Sequence, residues 1–124
     1  MTARSLFLNA PVQKKVQAGE VIYSEGDLGE HMYGMIEGTV ELRKGSAVVA
    51  TLGADDVFGE RALIDHLPRD LTAIATTHAT VAEIDRYLFL FLVDASPVFA
   101  IDIMGSLAGR LRDYENRIAR GMTS

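Results

Sequence analysis

Glycines at positions 19, 26, 34, 38, 45, 53 and 59 cut the first half of this chain into short runs rich in Thr, Val, Ile, Leu and Tyr. Apolar and β-branched runs of roughly four to eight residues between turn formers read as strands, and many such strands in succession read as a sandwich or roll. Thr39-Val40-Glu41-Leu42-Arg43 alternates apolar and polar side chains, and so does Thr80-Val81-Ala82-Glu83-Ile84. Each is therefore expected to turn one face to a core. Lys44-Gly45-Ser46 reads as a hairpin turn between Val40–Arg43 and Ala47–Leu52. The expected fold is mainly β as far as about Ile84.

Beyond Ile84 the pattern changes. Arg86–Val93 is apolar almost all round, and periodicity alone does not separate strand from helix there. Ser96 can cap a following helix, with Pro97 at its first position. Met104, Leu107, Leu111, Tyr114 and Ile118 then recur at alternating steps of three and four, flanked by Arg110, Arg112, Asp113, Glu115 and Arg117. A seam that narrow suits pairing of one helix on another, so a homodimer through this helix is expected.

The 124 residues suffice for one domain with a real core and no staples. There is no cysteine, hence no disulfide framework, thiolate nucleophile or thiolate metal site. The net charge of −5 argues against broad nucleic-acid binding, which needs a basic surface to displace phosphate counterions, but a local cradle can still hold a small anion. Leu6-Phe7-Leu8 is too short for a signal-peptide core, and Tyr87–Val93 is far too short to span a bilayer. The expected setting is the cytoplasm, without membrane contact.

The densest chemistry lies in Phe58-Gly59-Glu60-Arg61-Ala62-Leu63-Ile64-Asp65-His66-Leu67-Pro68-Arg69-Asp70-Leu71-Thr72-Ala73. Gly59 lets the backbone bend and a ligand approach closely. From Glu60 a helical turn can begin, whose free amides favour a phosphate. Arg69 offers a planar fork of donors for two phosphate oxygens. Ionised Glu60 only accepts hydrogen bonds, so its partner is a hydroxyl. A phosphate beside a hydroxyl describes a ribose phosphate, and a cyclic one fits so small a cradle.

This segment resembles the phosphate-binding cassette of the cyclic nucleotide-binding domain family, found in catabolite-activator-type transcription factors, cyclic-nucleotide-dependent kinases and cyclic-nucleotide-gated channels. Phe58, Gly59, Glu60, Ala62, Leu63, Pro68, Arg69 and Thr72 match the family pattern without a gap. Ala18–Ile22, Glu25-Gly26-Asp27, Met32–Leu42 and Ala79–Ile84 resemble its strands and turns, so the likeness runs from about Val16 to the C-terminal helix. The resemblance implies a double-stranded β-helix (a jelly-roll or β-roll) over about 12–84. A short hinge helix and a long C-terminal helix would follow over about 86–120, forming one unit over 1–124 with no DNA-binding or other output domain. It implies cyclic nucleotide contacts from Gly59, Glu60, Arg61, Ala62, Arg69, Asp70 and Leu71. The amides near Arg61 and Ala62 would meet the phosphate, and Glu60 the ribose 2′-hydroxyl. Val48, Val49 and Leu71 are candidate apolar walls for the base, and Arg110 and Arg117 candidate base contacts. The ligand is cyclic AMP or cyclic GMP, with cyclic AMP favoured, and no other cofactor is implied. A downstream protein partner would receive the signal.

Asp70 departs from the family, which places a small residue, or a hydroxyl that favours guanine, after the cassette Arg. A carboxylate beside a bound phosphate costs about 1 kcal/mol when solvated and several when not. Asp70 can turn outward, pair with Arg61, or hold Arg69 in an empty pocket. The last case is a degenerate fold serving as a ligand-independent dimerisation or docking module. A β-roll also suggests a metal-binding cupin, but His31, His66 and His78 are dispersed and form no His-x-His pair. Glu25-Gly26-Asp27 and Asp55-Asp56 are turn chemistry, and no triad or paired carboxylates point to catalysis. The chain is expected to be a sensor and not an enzyme.

Overall fold

The structure is a computed structural model that describes residues 3–123; Met1, Thr2 and Ser124, the ends of the expected unit 1–124, lie outside the described residues. The elements are α1 (Ala3–Phe7), β1 (Gln13–Val16), β2 (Val21–Tyr23), β3 (Met32–Glu37), β4 (Val40–Lys44), β5 (Ala47–Leu52), β6 (Val57–Phe58), α2 (Arg61–Ile64), β7 (Thr72–Ala75), β8 (Ala79–Ile84), α3 (Arg86–Ala95) and α4 (Val98–Thr123). Two four-stranded antiparallel sheets, ordered β1-β8-β3-β6 and β2-β7-β4-β5, form the expected β-roll. The hairpin turn falls where its glycine placed it, with Lys44 opposite Ala47 and Gly45 at φ +58°.

The roll interior is filled from both sheets by Tyr33, Met35, Val40, Leu42, Leu52, Phe58 and Val81. In β7 burial alternates as a one-faced strand should. In β8 it does not: only Glu83 is less than fully buried, against the expectation of a single core face. The reason is a second apolar layer on the outside of that sheet. Met32, Ile36, Val57, Ala82 and Ile84 pack there against Phe7 of α1, Leu92 of α3, and Phe99 and Ile103 of α4.

Helix α1 has no counterpart in the sequence reading. Its Phe7 is fully buried and meets the Phe99 ring edge-on at 6.0 Å between centroids. Gly34 makes room for it, since a Cβ there would stand 2.6 Å from the Phe7 ring. Side-chain volume at position 34 thus decides whether α1 can dock.

Asp85 caps α3, its carboxylate accepting the Leu88 amide at 2.8 Å. Ser96 closes α3 by donating its amide to the Leu92 carbonyl, and its own carbonyl accepts the Phe99 amide at 2.9 Å. Helix α4 begins at Val98, so Pro97 stands just before the first helical residue and not at it. The chain bends by 118° between α3 and α4, and among the described residues no single helix is long and apolar enough to cross a membrane. The expected seam on α4 divides. Leu107 packs toward the core, whereas Met104, Leu111, Tyr114 and Ile118 remain 45–59% exposed, alongside Ile101.

Candidate functional site

The cassette begins where β6 ends. Gly59 turns the chain at φ +74°, a left-handed conformation that L side chains adopt only under strain. Glu60 follows in helical geometry and leads into the single turn α2, whose Ala62 and Leu63 are buried. Three residues, Asp65, His66 at φ +55° and Leu67, bring the chain round to Pro68 and Arg69. Backbone bonds clamp the return: the Arg69 amide donates to Asp27 at 2.8 Å, and the Gly26 amide donates to Arg69 at 2.7 Å.

Arg69 is only 6% exposed. Its Nη1 donates to the Gly59 carbonyl and its Nη2 to the His31 carbonyl, both at 2.7 Å. The guanidinium lies 4.2 Å from the centroid of the Tyr23 ring, a cation–π contact. Tyr23 sits within 6.1 Å of both Tyr33 and Phe58, which fixes the ring. Burial pushes the Tyr23 phenol well above the usual tyrosine range, with the charge of Arg69 pulling partly the other way, so the ring stays neutral. The Arg69 Nε is buried without a hydrogen-bond partner, and among the ion pairs of the described residues Arg69 has no carboxylate. A guanidinium taken out of water without a counter-charge is costly, by several kcal/mol before its hydrogen bonds are counted.

Of the seven expected site residues, Gly59, Glu60, Arg61, Arg69, Asp70 and Leu71 line one cavity of about 260 Å³. Ala62 does not reach it; the methyl is buried and the amide donates to the Gly59 carbonyl at 3.2 Å. Glu60, Asp70, Leu71 and Arg110 also border an adjoining cavity of about 570 Å³, walled by Val49, Leu107, Leu111 and Tyr114. Of the candidate base walls, Val49 and Leu71 are there; Val48 is 41% exposed and lines neither cavity.

Asp70 resolves in favour of two of its three alternatives at once. Its carboxylate pairs with Arg61 at 3.6 Å and remains 59% exposed, away from the Arg69 guanidinium. The two α4 arginines part company. Arg110 lines both cavities, pairs with Glu60 at 3.5 Å and donates to the Val57 carbonyl. Arg117 instead donates to the Val48 and Val49 carbonyls on β5. Tyr23, Leu42 and Tyr114 are further lining residues that the sequence left unmarked, because each comes from an element far from the motif. Among the described residues no three His, Asp or Glu side chains gather as metal ligands.

A cavity with a buried, unpaired guanidinium at one end and a carboxylate beside it accepts an anion that also carries a hydroxyl. The cyclic nucleotide-binding domain family model matches residues 13–96, which is most of the roll, the cassette and α3. The chain belongs to the cyclic nucleotide-binding domain family. Among curated relatives, this domain is 34% identical over 87 residues to the cAMP-dependent protein kinase regulatory subunit of Eremothecium gossypii, covering 70% of the chain and 19% of the relative. It is 33% identical over 91 residues to the cGMP-dependent protein kinase of Plasmodium berghei, covering 73% of the chain and 11% of the relative. It thus spans no more than a fifth of the length of these relatives. Among solved structures, the Thermus thermophilus catabolite activator protein superposes with a TM-score of 0.74 at 27% identity, over 94% of this chain and 57% of that one. The domain is a regulatory ligand-binding module of the kind these relatives contain.

Proposed function

We propose that this domain senses a cyclic purine nucleotide through the cassette, with the phosphate on Arg69, the ribose 2′-hydroxyl on Glu60 and the base in the cavity under α4. The observation that carries this reading is the buried Arg69 guanidinium without a carboxylate partner, for which the ligand's phosphate is the missing counter-charge. Gly59 and Arg61 complete the cradle, and Leu71 and Val49 flank the base. Cyclic AMP is favoured over cyclic GMP because position 70 carries no hydroxyl; curated relatives are named for each nucleotide. The placement of Asp70 against Arg61 leaves Arg69 open to a ligand and weighs against a docking module with a closed pocket.

Two ties connect the cassette to the helices. Arg86 at the start of α3 donates to the Leu63 carbonyl of α2 at 2.8 Å, and Arg110 of α4 meets Glu60. Ligand entry would shift both, moving α3 and α4 by population shift. The exposed row on α4 supports a homodimer whose geometry reports the ligand to a downstream protein. The setting is the cytoplasm, and the unit acts by binding and not by catalysis.

Calorimetric titration of cyclic AMP and cyclic GMP into protein stripped of nucleotide tests this, with Arg69→Ala alongside. Binding at micromolar Kd or tighter is expected, weakened more than about tenfold by Arg69→Ala, a loss above about 1.4 kcal/mol. Folded protein giving no heat with either nucleotide refutes it.

A further inference from the structure

The turn between β2 and β3 borders neither cavity around Glu60, yet it holds Arg69 from behind. Both backbone groups of Arg69 bond to Gly26 and Asp27 in that turn, and His31 at its end receives Nη2. Between them the guanidinium lies directly on Gly29. A Cβ built there would stand 2.5 Å from Nη2 and 3.0 Å from both Cζ and Nε. Gly29 is outside the left-handed region, unlike Gly19, Gly26, Gly38, Gly45 and Gly59. Alanine is therefore not barred at 29 by a left-handed backbone, and the three atoms nearest to a Cβ there all belong to the guanidinium.

We infer that Gly29 is a positioning residue for phosphate recognition, the missing side chain being the seat that fixes Arg69. With a methyl at 29 the guanidinium must leave its seat between the Tyr23 ring and the Gly59 carbonyl, moving toward the cassette cavity or toward a separate cavity of about 700 Å³ that Gly29, His31 and Arg69 line. Either shift breaks the bond from Nη2 to the His31 carbonyl and takes the guanidinium out of the position from which it faces the cassette cavity. The inference rests on the proposed nucleotide reading and adds to it a residue outside the cassette.

The test titrates cyclic AMP into wild type, Gly29→Ala, Arg69→Lys and the double variant, and follows the Arg69 Nε–H resonance, identified by its loss in Arg69→Lys. Gly29→Ala is expected to stay folded, to move that resonance in ligand-free protein and to weaken binding about tenfold or more. In the Arg69→Lys background, which lacks Nη2, the atom nearest the methyl, it should cost much less. Wild-type affinity in Gly29→Ala, an equal loss in the Arg69→Lys background, or failure to fold would each overturn the inference. Loss of binding in Arg69→Lys with full affinity in Gly29→Ala overturns this inference alone, whereas wild type that binds no nucleotide overturns the proposed function.

Discussion

Arg69→Met separates what the guanidinium does for a ligand from what it does for the fold. In the free protein two hydrogen bonds from a charged donor contribute about 1.5–3 kcal/mol each. The Tyr23 face adds about 1–2 kcal/mol. Opposed to these are a desolvation penalty of several kcal/mol without a carboxylate, and about 1–3 kcal/mol for the unpartnered Nε. Up to about 2 kcal/mol of side-chain entropy is also lost. The two sides nearly cancel. Methionine keeps an apolar stem without the charge; both carbonyls lose the Arg69 donor, but the Gly59 carbonyl retains the Ala62 amide. The net change in stability without ligand should stay within about 2 kcal/mol.

With nucleotide the variants diverge. At about 100 times its Kd a ligand stabilises wild type by about 2.7 kcal/mol, or about 10 °C in Tm at about 4 °C per kcal/mol for a chain of this size. Arg69→Met should show almost none of that rise. Thermal unfolding followed by circular dichroism, with and without cyclic AMP, reads both quantities. A loss above about 4 kcal/mol in ligand-free Arg69→Met, or a ligand-induced rise equal to that of wild type, would show that the buried cation belongs to the fold, and the reasoning would fail.

Gly34→Ala should destabilise by about 1–3 kcal/mol by overpacking against Phe7; chemical denaturation of Gly34→Ala, Phe7→Leu and the pair should show a favourable coupling of about 0.5–3 kcal/mol. Met104→Glu, which places a charge in the exposed row on α4 and outside both cavities, should shift sedimentation equilibrium toward monomer and leave nucleotide affinity within about twofold. The Gly45 amide and Lys44 hold the Glu25 carboxyl below the ordinary glutamate value. A depressed acid makes its contribution above its unfolded pKa and loses it as pH falls through the folded one. The Gly45 amide resonance should therefore stay constant at neutral pH and move only below the ordinary glutamate value.

What could be read from the sequence follows from how far apart the cooperating residues lie. The cassette is one contiguous segment with side-chain chemistry at fixed offsets, so Gly59, Glu60 and Arg69 could be assigned before any coordinates. The hairpin at Gly45 is equally local. By contrast, Tyr23, Gly29 and the His31 carbonyl act on Arg69 across some forty residues, and nothing in their own neighbourhoods marks them. Helix α1 depends on the hole at Gly34, a tertiary fact that Leu6-Phe7-Leu8 cannot announce. Alternation in Thr80–Ile84 suggested one buried face because the second is covered by helices from both ends of the chain. On α4 the regular spacing was real, but which member turns inward depended on the roll beneath, and Leu107 did.

The wiring of the site sets a limit on how its signal can travel. Under the proposed function a ribose hydroxyl and Arg110 address the same Glu60 carboxylate. That pair is 18% and 27% exposed, so it contributes only about 1 kcal/mol after solvent screening. Moving α4 from almost wholly one position to almost wholly another takes about 5.5 kcal/mol of differential affinity. Releasing the Arg110–Glu60 contact falls well short of that. Contacts of the base with Leu107, Leu111 and Tyr114 of α4 add to it, and the Arg86 bond to the Leu63 carbonyl is a direct tie from α2 to the hinge helix. Leu92 of α3 and Phe99 of α4 share one buried cluster with Leu63, so displacing α2 disturbs the packing that seats both helices. In this arrangement the ion pair on α4 and the apolar cluster around Leu63 both couple the cassette to the helices.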